Sequence, residues 1–418
     1  MSDGKHQEKL IGPFRQLLTM HHLPDRGPVP DSALEIMSDA GILVRDGMIR
    51  KVASFQELMH IPSAGDLERD ILKNPVVCLP GFVDAHTHIC YAGSRSRDYA
   101  LRVSGTSYLE IARAGGGIQE TVARTRAAGQ QSLEETLTQR CRRHLADGVT
   151  TCEVKSGYCL TVEGEMKMLR AIRAVHDAQP ADLIATCLAA HMTPGDFKGT
   201  PSEYLRMMAD ELLPQVKKEG LSGRVDVFIE DSAFSTEQAR DYLKKAADLG
   251  FLITIHADQF TTGGSALGCE YHAVSMDHLE ASRDTEIEAL ARSGSTAVVL
   301  PGASMGLGMP FAPARKLLDS GVSLAIASDW NPGSAPMGDQ LLQAAVLGAF
   351  EKLTTAETLA AITYRAARAL ALDDRGILCP GKKADFVAFP CDSYQEILYN
   401  QGRLKPCVVW KNGIRIHA

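Results

Sequence analysis

The sequence predicts an α/β protein: a (β/α)8 TIM-like barrel joined to a small β-sandwich domain built from both chain termini. Three observations carry this. Eight short, apolar, β-rich runs recur, at 82–88, 149–155, 183–191, 225–230, 252–258, 274–279, 297–301 and 324–329. Longer segments with helical periodicity separate them. Polar residues gather at the C-terminal ends of the runs, where barrel enzymes keep their reactive groups. Near-continuous apolar strands alternating with helices call for a parallel barrel. The competing fold, a doubly wound open sheet, should carry G-x-G-x-x-G after its first strand, and that motif is missing there.

At the N-terminus, Gly41-Ile42-Leu43-Val44 and Met48-Ile49-Arg50-Lys51-Val52 flank Asp46-Gly47, a hairpin signal. The first barrel run follows Pro80 in GFVDAHTHIC. The intervening helices include SLEETLTQRCRRHLADG, EGEMKMLRAIRAVHDA, PSEYLRMMADELLPQVKKEG, STEQARDYLKKAADLG and DTEIEALARSG. Several open on Ser, Thr, Pro or Asp with an acidic residue nearby and stop at Gly, as helix caps require. After the last helix come Asp385-Phe386-Val387-Ala388-Phe389 and Cys407-Val408-Val409-Trp410, the latter before a Lys411-Asn412-Gly413 turn. Neither flank has enough apolar surface to fold alone. Residues 1–79 and 376–418 are therefore expected to form one composite β domain, leaving 80–375 as the barrel.

Composition narrows the function. A formal charge of −7, both signs interspersed and no long Lys/Arg run, argues against nucleic acid as a partner. No run approaches the roughly 18 apolar residues of a membrane span, and MSDGKHQEKL lacks the pattern of a secretory signal. Ten cysteines without a C-x-x-C pair form neither a disulfide framework nor a zinc ribbon. The expected location is the cytoplasm.

The polar strand ends form a set. His86 and His88, two apart in a strand, aim two imidazoles at one point. His191 ends the third run, His256-Ala257-Asp258-Gln259 the fifth, Asp277-His278 the sixth and Asp329 the eighth. A lone His at a strand end is usually just a hydrogen-bonded residue, but five histidines and Asp329 at one barrel mouth are not accounted for that way. Three imidazoles with a carboxylate, one position left for water, meet the needs of a catalytic divalent metal.

On PGFVDAHTH, YAGSR, TSYLEIARAGGGI, VTTCEVKSGY, EMKMLRAIR, CLAAH, HADQ, DHLE, ASDWNPGSAP and PGKKADFVAF, the chain resembles the amidohydrolase superfamily, and within it the imidazolonepropionase family. The His-x-His and the Asp of the eighth run are common to the superfamily; YAGSR, GGGI, SGY and DWNPGS are far more specific. The resemblance implies hydrolysis of 4-imidazolone-5-propanoate to N-formimino-L-glutamate in histidine degradation. It implies one divalent metal, Zn²⁺ or Fe²⁺, on His86, His88, His256 and Asp329. Asp329 would also take a proton from the water that the metal activates, and His278 would polarise the substrate carbonyl or orient that water. Lys155 invites a second-metal reading as a carboxylated lysine, but bimetallic relatives carry that group on the fourth strand, which ends here in Ile229-Glu230; one metal is expected.

The small-molecule substrate has a carboxylate tail, which a bidentate Arg suits. Arg95 matches the family's substrate arginine. Tyr108 and Tyr158 would close on the tail or ring, His191 would reach the ring, and Asn331, Gly333 and Ser334 would contact the same ligand. Gln259 stands where deaminases of heterocyclic bases place a proton-shuttling Glu; an amide cannot act as an acid near neutral pH, so it favours ring opening over the deaminase alternative. A catalytically inactive barrel serving as a binding module would be expected to have lost ligands, and all four are present. Three departures touch one pocket wall: residues 302–309 replace the family's aromatic and Arg-Glu segment, Cys159 replaces a glycine, and Asp98 a glutamate. The sequence leaves open whether the chain acts alone or as a homodimer.

Overall fold

A computed structural model describes residues 8–61, 67–106, 110 and 116–416. Eight parallel strands form the barrel: β6 (Phe82–Asp84), β7 (Val149–Lys155), β8 (Asp182–Ala190), β9 (Arg224–Phe228), β10 (Leu252–Ala257), β11 (Ser275–His278), β12 (Thr296–Val299) and β13 (Ser323–Ile326). Each pairs with the next in sequence. No ladder joins β13 to β6. That seam is closed by single bonds, Asp329 N–H to the His86 carbonyl (3.0 Å) and His88 N–H to the Trp330 carbonyl (3.0 Å), around a parallel bridge between Thr87 and Trp330. The bridge fixes the path of the two residues flanking Thr87, whose imidazoles meet at the barrel mouth.

Several ladders are shorter than the apolar runs, though β7 matches its run and β8 equals its run in length. The first stops at Asp84 instead of residue 88, the fifth at Ala257 and the eighth at Ile326. Asp258 (φ 52°), His278 (φ 84°) and Asp329 (φ 46°) take left-handed backbone at or just beyond the strand ends. Such strain in non-glycine residues gathers where function fixes a side chain. The helices begin and end close to expectation, among them Gln130–Ala146, Val162–Ala178, Thr236–Asp248 and Asp284–Ser293. The segment expected as one helix over 201–220 is interrupted: a π-turn at Met208–Leu212 separates Pro201–Met207 from Leu213–Glu219. Pro214 causes the break, since its ring and missing N–H do not fit a regular helix interior.

The terminal strands are β1 (Glu8–Leu18), β2 (Ile36–Arg45), β3 (Met48–Ser54), β4 (Leu67–Ile71), β5 (Val77–Pro80), β14 (Phe386–Phe389), β15 (Val408–Lys411) and β16 (Ile414–Ile416). They form one hydrogen-bonded sheet, β16-β15-β14-β5-β1-β2-β3, with β4 on β1. Both hairpin signals are realised: Asp46 and Gly47, and Asn412 and Gly413, all have φ between 50° and 79°, the type I′ pattern. The sheet is strongly curled. Phe14 on β1 and Trp410 on β15 lie three strands apart, about 14 Å in a flat sheet, yet their rings are 6.0 Å apart over a shared core with Phe386. The other face of β5, Val77 and Leu79, joins the barrel core. From there the chain runs directly into β6, which delivers His86 and His88 to the barrel mouth. Among the described residues no helix is long and apolar enough to cross a membrane.

Candidate metal centre and substrate pocket

Three imidazole nitrogens face one another at the mouth of the barrel. His86 Nε2 and His88 Nε2 are 3.2 Å apart, and His256 Nε2 is 3.3 Å from His88 Nε2. Asp329 Oδ1 lies 3.6 Å from His86 Nε2 and 3.5 Å from His88 Nε2. The tautomers follow from the other side of each ring. His86 Nδ1 donates to Asp277 Oδ2 at 2.6 Å, and His256 Nδ1 lies 2.8 Å from Asp226 Oδ2. With Nδ1 holding the proton, both Nε2 atoms present lone pairs to the centre.

Burial reinforces this. It holds His86 and His88 well below the usual imidazole range, helped by Lys155 at His86 and by His256 at His88. It takes His256 to about 3 against the pull of Asp226. Neutral imidazoles with converging lone pairs beside a buried carboxylate repel one another unless a cation sits among them. The donor set thus fits a divalent metal on His86, His88, His256 and Asp329, with the far nitrogens of His86 and His256 each against a carboxylate.

His278 stands beside this set, its ring centroid 5.3 Å from that of His256. Its Nδ1 is 3.4 Å from Glu280 Oε2, whose other oxygen accepts from Ser304 Oγ at 3.0 Å. Burial disfavours an imidazolium there, but Glu280 outweighs it and the His278 pKa is raised. Burial also lifts Asp329 to about 7, while His278 pulls the other way. His278 and Asp329, both with raised pKa values, thus share one centre.

Above the centre opens a cavity of about 740 Å³. His88, His256, His278 and Asp329 line its floor, with Arg95, Tyr158, His191, Gln259, Asn331 and Ser334 around it. His191 Nδ1 bonds to the Gly157 carbonyl at 2.9 Å, which leaves Nε2 for a ligand; burial lowers its pKa to about 4. Burial drives the Tyr158 hydroxyl upward, so it remains a neutral donor. Gly333 lines an adjoining cavity of about 250 Å³ beneath Arg95. Asn331 is committed within its own loop, donating to the Asp329 carbonyl (2.7 Å) and Ser334 Oγ (2.9 Å) and accepting from the N–H groups of Gly333 (2.7 Å) and Ser334 (2.8 Å). Its side chain shapes the loop. Tyr108 lies outside the described residues.

The altered pocket wall has a simple geometry. Residues 301–307 form a helix, Pro301–Leu307, and a side chain at Gly306 would reach 1.6 Å from the Ser334 carbonyl. The loop after β13 rests directly on that glycine. Leu307 and Met309 supply the apolar wall. Asp98 accepts from Arg95 Nε (3.0 Å) and from Gly117 N–H (2.7 Å), so the shorter carboxylate still anchors the arginine to the GGGI turn. Cys159 is fully buried, away from the cavity lining.

Sequence reasoning passed over several groups. Arg102, two helical turns after Arg95, lines the cavity and donates to the Gly333 carbonyl at 3.3 Å. Asp226 and Glu280 stand against His256 and His278, as Asp277, already noted at a strand end, stands against His86. Beneath them Lys155 Nζ contacts Glu153 at 2.7 Å and Asp226 at 2.8 Å. An ammonium so surrounded is no carboxylated lysine, since a carbamate would add a negative charge to a carboxylate cluster. The available signal was period-two polarity, Glu153/Lys155 and Arg224/Asp226 in otherwise apolar strands, which in a barrel means inward-facing charge.

The amidohydrolase family model matches residues 77–415. The chain is 40% identical to imidazolonepropionase of Deinococcus deserti over 98% of this chain and 100% of that one. It is 44% identical to the Myxococcus xanthus protein of that name over 80% of each. Among solved structures, guanine deaminase of E. coli superimposes with a TM-score of 0.75 at 16% identity, covering 99% of both chains. A zinc-bound adenosine deaminase of Xanthomonas campestris gives 0.72 at 20% identity, covering 98% of this chain and 92% of that one. At those identities the two deaminases speak for the barrel fold alone. Matched by the family model across most of its length and by named relatives nearly end to end, the chain belongs to the amidohydrolase family and, within it, to the imidazolonepropionases.

Proposed function

We propose that the chain hydrolyses 4-imidazolone-5-propanoate to N-formimino-L-glutamate, using one divalent metal, Zn²⁺ or Fe²⁺, held by His86, His88, His256 and Asp329. The observation that carries this reading is the convergence of three neutral Nε2 atoms and a carboxylate in a pocket that also holds Arg95. When bound, the metal supplies Lewis-acid polarisation of the ring carbonyl and lowers the pKa of a water ligand to about 7.

The chain's own groups do the rest. Arg95 binds the propionate tail and fixes the ring over the floor. Asp329 accepts a proton from the attacking water as the new C–O bond forms. His278, its pKa raised beside Glu280, donates to the oxygen on which negative charge develops. The amide C–N bond then breaks, and Asp329 returns its proton to the departing nitrogen, which stays in the product as part of the formimino group. Gln259 cannot exchange a proton and serves as a hydrogen-bonding wall. The abundant unpaired thiols suit a reducing compartment, which supports a cytoplasmic location.

Because the leaving nitrogen remains tethered, turnover should consume the imidazolone absorbance without releasing ammonia. The assay uses freshly generated substrate with an ammonia-coupled detector alongside. Stoichiometric ammonia would overturn the reading in favour of a heterocycle deaminase. Elemental analysis of the purified protein should find close to one metal per chain, since Lys155 is occupied by carboxylates. Two tightly held metals per chain would contradict the single-site assignment.

A further inference from the structure

Lys155 has no access to solvent and does not line the cavity, yet it lies at the junction of three separate supports of the metal site. One runs through Asp226, 2.8 Å from Lys155 Nζ and 2.8 Å from His256 Nδ1. A second runs through Asp277, whose Oδ2 is 3.8 Å from the ammonium and accepts from His86 Nδ1 at 2.6 Å. The third runs through Glu153, which takes the Lys155 ammonium on Oε1 (2.7 Å) and the N–H of Thr87 on Oε2 (3.2 Å). Thr87 is the residue between His86 and His88. All of these groups are at most 4% exposed.

The geometry points to Lys155 as a positioning residue: its ammonium ties together the three carboxylates that set the tautomers of His86 and His256 and the path of the His86–His88 segment. The charge balance shows why a cation is needed. Three carboxylates this close repel one another, and without a shared counter-ion at least one would turn away or take a proton. Either change releases the imidazole it holds, and Nε2 no longer presents its lone pair to the centre. Hydrogen-bonding partners of metal ligands commonly govern affinity by 10–100-fold, an order-of-magnitude guide. A single group acting on three of them should reach at least the lower end of that range.

The inference rests on the metal-site reading above, and the test keeps the two apart. Wild-type holoenzyme is first titrated against a chromogenic chelator; failure of the wild type to hold metal would sink the site itself. Lys155→Met and Lys155→Gln are then compared, together with Lys155→Met/Glu153→Gln, which removes the ammonium along with one carboxylate and so relieves the charge imbalance that could prevent folding. The expected result is folded protein whose metal dissociation constant rises by about 10-fold or more. KM at saturating metal should remain within about 3-fold, and the visible spectrum of the Co²⁺-loaded protein should shift. A merely structural lysine would lower thermal stability and leave the metal affinity and Co²⁺ spectrum of the folded fraction unchanged, which would overturn the assignment. Failure of every variant to fold would place Lys155 in the service of the whole barrel and overturn it equally.

Discussion

Asp329→Asn should abolish nearly all turnover in a protein that still folds and retains part of its metal. The substitution is conservative in shape, and asparagine, like aspartate, tolerates the left-handed backbone that Asp329 adopts at φ 46°. The Asp329 N–H bond to the His86 carbonyl, which closes the barrel seam, is made by the main chain and survives the change. What disappears is the proton acceptor. Positioned acid–base groups contribute roughly 10²–10⁴-fold, and here one carboxylate serves both halves of the reaction, so a fall in kcat on the order of 10³-fold is expected. Steady-state kinetics paired with metal analysis of the same preparation provides the check. Near-normal turnover would mean that another group accepts the proton, and Glu280 would be the first to examine.

The legible part of this protein is the part written in short range. Strand–helix alternation and cap residues point to the barrel, and the Asp46-Gly47 and Asn412-Gly413 pairs to the hairpins, because each signal is decided within a few residues. The metal ligands are legible for a different reason: an imidazole turned into the interior at the end of an apolar strand is costly to bury unless something binds it. The supporting groups are harder to see. Asp226 and Asp277 each look like one polar residue in an apolar strand, and only the closure of the barrel brings them within 4 Å of Lys155. Hydropathy overstates the strand ends because the fifth and eighth runs are carried on to Asp258 and Asp329, where the backbone is already left-handed. Arg102 gives no local sign of its place, because charged residues on helices are ordinarily solvated and nothing nearby in sequence marks one that leans over a cavity.

Arg95→Met tests how the pocket reads its substrate. The guanidinium has two duties that the structure separates. Its Nε edge donates to the buried Asp98, which in turn holds the Gly117 N–H. Its other edge lies along Gly333, so close that a side chain there would come within 2.2 Å of Nη1, and it borders the cavity above the metal centre. Methionine keeps much of the stem and removes both the charge and the fork. Truncating one partner of a desolvated charge pair costs about 2–5 kcal/mol, so a loss of about 2–4 kcal/mol in kcat/KM is expected on the carboxylate-bearing substrate. Part of that loss would arise from Asp98 losing its cation and would appear with any ligand. The informative quantity is therefore the difference between the natural substrate and a ring analogue lacking the carboxylate, measured on the same variant. A loss confined mainly to the charged substrate assigns the tail to Arg95. Equal losses on both compounds would show that Arg95 only braces the loop, and the reading of the tail would pass to Arg102, whose guanidinium reaches the same cavity from two turns further along the helix.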